Sequence, residues 1–152
     1  MNSEQFTSIF MAASEEPTPK TEEKKFEAER FFAKVREELR RLDDAQQFDI
    51  LFPVAVKQQW NAPSYTAALL LRELSPACPF SCEDAVRALL PEWDVSIEEV
   101  PFYLAARFGP TRIRQAIANL EPGVTDKSEK VNLETVAYWL DAYEATYPSI
   151  NS

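Results

Sequence analysis

The chain contains only two glycines, Gly109 and Gly123, and each comes immediately after or near the end of a run with helical spacing. This placement constrains the fold more than any other feature. Tight hairpins and phosphate-cradling loops depend on backbone conformations that glycine alone adopts cheaply, so both are disfavoured. The eleven prolines in 152 residues punctuate helices instead. The stretch Ser96 to Gly123 shows both residues at work. Ser96 followed by Glu99 has the spacing of a capping box and predicts a helix start. Leu104 and Phe108 continue one apolar face until Gly109 and Pro110 end it. Ile113, Ala116, Ile117 and Leu120 then recur at steps of three and four, predicting a second helix that closes at Pro122 and Gly123. Two helices joined by a tight corner result, with Ser96–Phe108 as the expected centre of the core.

Similar spacing runs through the rest of the chain. A long helix is predicted from Thr18 or Thr21 to Leu42, with Ala28, Phe32, Val35, Leu39 and Leu42 as its seam and Phe26 and Phe31 widening it. Beyond Asp43 and Asp44, the apolar stretch from Phe48 to Val56 reads as two short helices divided at Pro53. Pro63 opens the next helix, whose Ala67, Leu70, Leu71 and Leu74 face inward. Ser81 with Asp84 caps a helix carrying Val86, Leu89 and Leu90. A polar linker from Val124 to Lys130 leads to a last helix near Asn132, with Leu133, Val136, Leu140, Tyr143 and Tyr147 in register. No segment alternates polar and apolar residues, and no run reaches membrane-spanning length. The expectation is an all-α fold: one compact domain of about six to eight helices over residues 18–148, short except for the first. Residues 1–17 read as a mobile tail set off by Pro17 and Pro19. Within the tail, Phe6, Ile9 and Phe10 have amphipathic spacing; the alternative to a mobile tail is a short helix that docks on a partner, with these as the candidate partner-binding residues, or on the chain's own domain.

Charge and chemistry narrow the function. The chain has 16 basic and 25 acidic residues and no histidine, for a net charge of −9. Such a surface repels nucleic acid and anionic membranes at long range and attracts basic partners. Lacking histidine, the chain lacks the commonest general base near neutral pH and the commonest metal ligand. Cys78 and Cys82 read as reduced thiols in a helical cytoplasmic protein, and C-x-x-x-C is a poor zinc pattern. Cys82 follows Ser81, an N-cap position where a helix terminus would lower its pKa. Glu98 and Glu99 are first-turn acids rather than a catalytic pair. No nucleophile elbow, zinc-protease motif or phosphate loop is present, so no catalytic, metal or cofactor-binding residue is expected. The N-terminal residues have neither the positive start of a signal peptide nor the arginines of a transit peptide, which points to the cytoplasm.

Leu104-Ala105-Ala106-Arg107-Phe108-Gly109, followed by Arg114-Gln115-Ala116-Ile117 and Leu120-Glu121, resembles the helix-turn-helix of bacterial winged-helix repressors. The resemblance implies a corner over residues 97–121 whose second helix enters a major groove. It implies Arg112, Arg114, Gln115 and Asn119 as DNA-contacting residues, with Arg107 on phosphate. Against it, the turn is shorter than in that family, Pro110 stands where a small apolar residue is usual, and no wing follows Gly123. The leading expectation is therefore a non-catalytic protein acting through protein–protein contact, as an adaptor, regulator or inhibitor. Its acidic surface and its aromatics Trp60, Trp93, Trp139, Tyr138 and Tyr143 would serve a partner, and a DNA-binding regulator is the alternative.

Overall fold

The structure, a computed structural model, describes residues 1–14, 22–57 and 62–148. These form eight α-helices: α1 (Ser3–Ser14), α2 (Glu22–Arg40), α3 (Asp44–Ala55), α4 (Ala62–Leu74), α5 (Cys82–Arg87), α6 (Glu99–Phe108), α7 (Pro110–Leu120) and α8 (Lys127–Thr146). A single 3₁₀ turn, Glu121–Gly123, links the last two. The described residues include no strand, so the fold is all-α as its spacing predicts. Thr18, Thr21, Pro17, Pro19 and Trp60 lie outside the described residues.

Helix α6 is the centre. Its Val100, Tyr103 and Leu104 are fully buried, and α4, α5, α7 and α8 all pack against it. The facing residues are those the periodicity selects: Ala67, Leu70 and Leu71 from α4, Ile113 and Ala116 from α7, and Leu133, Val136 and Leu140 from α8. Phe108 and Ile117 depart from the expectation, being only partly buried at the rim of the core. Phe108 lies at the end of α6, where its ring lies under the Arg112 guanidinium, 5.2 Å from the ring centroid.

Four local expectations are corrected. The Ser96–Glu99 capping box does not form. The Asp94 carboxylate takes both the Ser96 amide, at 3.0 Å, and the Ser96 hydroxyl, at 2.7 Å. That tight turn removes Ser96 from the cap, and α6 starts at Glu99 with no side-chain cap. Capping boxes occur instead at Asp43 with Gln46 and at Asn2 with Gln5. Second, α3 is one helix through Pro53. Pro53 lies in the last turn with its ring exposed, so it removes one hydrogen bond without displacing a neighbour. Third, α8 begins at Lys127, because Asp126 accepts from the Glu129 amide at 3.0 Å and caps it. Most of the expected linker is therefore helix. With 20 residues α8 is longer than α2, which has 19, so the long helix is not only the first one.

The fourth correction concerns the N-terminus. Residues Ser3 to Ser14 form a helix laid across α3 and α4. Phe6 is fully buried and Phe10 is 6% exposed, with ring centroids 4.7 Å apart. Phe6, Ile9 and Phe10 thus face the chain's own core, Ile9 at its margin, rather than standing ready for a partner. The Ser3 hydroxyl donates to the Asp49 carbonyl at 2.7 Å and lies 3.1 Å from that of Ile50. The Asp49 carbonyl is the acceptor that the missing N–H of Pro53 leaves open in α3.

Burial predicts the order of two phenylalanine truncations. Phe6→Ala should cost about 3–5 kcal/mol in equilibrium urea denaturation, the range for a buried phenylalanine. Phe108→Ala should cost less than half as much, because Phe108 keeps solvent on one side. Equal losses, or a larger one at Phe108, would contradict this packing.

Candidate functional site

The α6–α7 corner turns on one residue. Gly109 has φ +86°, a left-handed conformation that glycine adopts freely, and it joins the helices without further linker. Around this corner the candidate DNA-contacting side chains are engaged within the chain. Arg107 Nη1 donates to the Ser75 carbonyl at 2.8 Å. Arg114 pairs with Asp141 at 2.6 Å and with Glu144, both on α8. Gln115 Nε2 donates to Asn119 Oδ1 at 3.0 Å, and Arg112 stacks on Phe108. The two α8 carboxylates thus stand beside the arginine that the resemblance assigns to a groove. All these pairs are solvent-exposed, so each holds its side chain only weakly.

A second constellation lies against the middle and last turn of α6. Residues 75–81 cross the body between α4 and α5. Ser75 adopts φ +47°, an unusual conformation for a residue with a side chain. Tyr103 Oη donates to the Pro76 carbonyl at 2.6 Å inside the core, and the Ala77 amide donates to Asp44 Oδ2 at 2.8 Å. Phe80 closes over Phe48 and Phe52, at centroid distances of 5.2 and 5.7 Å. The two cysteines belong to this crossing, Cys82 buried and Cys78 half-buried. Burial pushes both thiols above their ordinary pKa, and for Cys82 it outweighs the nearby Arg112 charge. The expected lowering by a helix terminus is therefore reversed. Helix α5 is only six residues long, and desolvation dominates.

Trp93 and Trp139 are structural. Trp93 is buried and its indole N–H donates to the Ile97 carbonyl at 3.2 Å. The Trp139 indole donates to the Val95 carbonyl at 2.8 Å. Tyr143 meets Phe102 edge-on at 5.4 Å. Of the aromatics expected to serve a partner, Tyr138 is the one left outward among the described residues, at 63% exposure. Trp139 and Asn132, whose amide reaches the Leu90 carbonyl at 2.9 Å, hold the 91–95 turn along α8. Beside this turn lies a shallow cleft of about 270 Å³ lined by Pro91, Asp94, Val95, Ser128 and Val131, among others. Val131, Glu134 and Tyr138 form one outward stripe of α8, all exposed. Their spacing was readable from sequence. The cleft was not, because it depends on two side chains reaching carbonyls more than forty residues away.

Among the described residues, Glu99 is the acid placed uncomfortably. It is half-buried, and its Oε2 is enclosed without a hydrogen-bond partner. Burial raises its pKa, with a further push from the adjacent Glu98 charge. Among the described residues no three Cys, Asp or Glu side chains converge as a metal site would require, and no helix is long and apolar enough to cross a membrane. Comparison with models of known protein families, with curated proteins and with solved structures finds no match for this chain.

The Glu99 environment gives a pH-dependent prediction. A carboxyl whose folded pKa is raised binds its proton more tightly in the native state, so this group weakens the fold as pH rises through that range. Glu99→Gln should therefore raise the melting temperature at pH 7. The gain should disappear below the ordinary glutamate range, where both states are protonated. A gain that persists unchanged at acid pH would contradict the desolvation account.

Proposed function

We propose that this chain is a non-catalytic cytoplasmic protein that regulates or adapts another protein by binding a basic segment of it. The observation that carries the reading is the cleft beside α8, where the exposed Val131 shares the lining with Asp94 and continues along the helix into the exposed Glu134 and Tyr138. An aromatic face beside carboxylates suits a lysine or arginine side chain, which gains from both the ring and the charge. Local cations do little to satisfy these acids. From residue 115 onward Lys127 and Lys130 are the only basic residues, against Glu121, Asp126, Glu129, Glu134, Asp141 and Glu144. Arg114 already pairs with two of those acids, and Arg87 with Glu83 and Asp84 on its own helix. The two free thiols suit a reducing compartment.

The DNA-binding alternative rests on the α6–α7 corner. Its arginines and amides have intrachain partners, and a net charge of −9 opposes approach to a duplex within a Debye length of about 8 Å. The interaction reading is favoured on those magnitudes.

The discriminating experiment is affinity capture from the native host with mass spectrometry, with and without nuclease, using wild type and Asp94→Asn/Tyr138→Ala. The expected outcome is a nuclease-resistant basic partner that is lost from the double variant, whose melting temperature stays within a few degrees of wild type. Partners that vanish on nuclease treatment, together with salt-sensitive duplex binding abolished by Arg112→Ala/Arg114→Ala, would promote the DNA reading instead.

A further inference from the structure

Helix α8 has a repeat on its outer side as well as its inner one. Leu133, Val136 and Leu140 are buried, while Val131, Glu134, Tyr138, Asp141 and Ala145 are all exposed. Steps of three and four alternate along this outer stripe, so its members share one face. Val131, Tyr138 and Ala145 recur every seven residues, and Glu134 and Asp141 recur every seven between them. Val131 is 49% exposed. The Tyr138 ring meets the Trp139 indole edge-on at 5.0 Å between centroids, and that indole donates to Val95, which ties Tyr138 to the turn bordering the cleft. Glu134 forms no ion pair among the described residues, although Lys130 stands one turn before it. Asp141 accepts from Arg114, yet its side chain keeps 78% of its surface open.

We propose that the occupant of this stripe is a basic amphipathic helix of another protein, laid along α8 from Val131 to Ala145 with its N- or C-terminal end against the cleft. The inference rests on the basic-segment reading of the cleft and adds the shape and period of the segment. Charge selects its sign, since both polar positions of the repeat are carboxylates. Spacing selects its form. Positions seven apart on α8 lie about 10.5 Å apart along the axis, and a second helix crossing at about 20° keeps the same repeat. An extended strand covers that distance in about three residues, which turns the next side chain to the opposite face. A polyproline segment advances about 9 Å per turn and falls about 2 Å behind after two repeats. A helix also offers no open backbone edge on which a strand could pair. The partner therefore carries apolar side chains seven residues apart to meet Val131, Tyr138 and Ala145, with lysine or arginine between them to meet Glu134 and Asp141.

The test uses the full-length protein and a fluorescein-labelled synthetic peptide of three heptads, with leucine at every seventh position, lysine three positions after each leucine, and alanine and glutamine elsewhere. A control peptide has the same composition in an order that removes the repeat, so its net charge is identical. In fluorescence anisotropy at near-physiological salt, wild type should bind the repeating peptide one to one and about tenfold more tightly than the control, and the peptide should gain helical circular dichroism on binding. Glu134→Lys, a surface change that leaves the melting temperature within a few degrees, should remove that preference. A repeating peptide with glutamate in place of its central lysine should regain tight binding to Glu134→Lys. Equal binding of the repeating and control peptides, lost in both cases from Asp94→Asn/Tyr138→Ala, would overturn the helical partner while leaving the basic-segment reading in place. Equal binding that Asp94→Asn/Tyr138→Ala leaves unchanged would overturn both. A repeating peptide that does not bind wild type would overturn the helical partner, and the capture from the native host then decides the reading by itself.

Discussion

The hydrogen bond from Tyr103 to the Pro76 carbonyl is the contact on which the arrangement of the fold depends. Tyr103 is fully buried in the middle of α6, so its hydroxyl has no access to water and needs a protein acceptor. Pro76 supplies that acceptor at 2.6 Å, twenty-seven residues away in sequence. The bond ties the crossing between α4 and α5 to the central helix, and burial pushes the phenol pKa well above its usual value. Ser75 stands at positive φ just before Pro76, and its carbonyl accepts from Arg107. Such a backbone conformation costs on the order of 1 kcal/mol and persists only where its surroundings fix it. The prolines on either side, Pro76 and Pro79, reduce what the crossing loses in entropy on being ordered.

The same logic governs the attachment of α1, with the roles of backbone and side chain arranged differently. Pro53 leaves a helical carbonyl without its usual donor, and the first residue of α1 covers it. A helix breaker in one element thus creates the acceptor that locates another. Two buried phenylalanines then supply most of the attachment, at about 2–3 kcal/mol each before the entropy of ordering the segment is subtracted. The N-terminal helix is consequently part of the core by packing, while being joined to it by few polar contacts.

How much of this was legible in the sequence follows from which interactions are local. Helical periodicity put Leu104, Ile113, Ala116, Leu133, Val136 and Leu140 inside, and all are buried, because a periodic face must be covered by something. Capping was less legible, since Ser96 had two acidic neighbours within reach and the nearer one, Asp94, captured it. Asp126 capped α8 earlier than its apolar spacing indicated, because a cap needs no apolar residue nearby. The N-terminal segment looked separable owing to Pro17 and Pro19, yet its partner surface lies in α3 and α4, which sequence spacing does not locate. The cleft beside α8 likewise needed Trp139 to find Val95. For the arginines of the corner, sequence gave their charge while the fold supplied their acceptors.

The described surface divides into parts with distinct physics: a corner whose cations have internal partners, a cleft beside an exposed stripe of α8, and an N-terminal helix covering an apolar surface. The corner and α8 pack on α6 directly, α1 reaches it by way of α4, and α6 is tied to the crossing it anchors. The direct measurement of that claim is Tyr103→Phe, which keeps the ring and removes only the hydroxyl, studied by equilibrium denaturation and native-state hydrogen exchange. The account predicts a loss of about 1–3 kcal/mol from the orphaned Pro76 carbonyl, with faster exchange concentrated at the Ala77 amide and its neighbours in the crossing. Unchanged stability with unchanged protection there would contradict it.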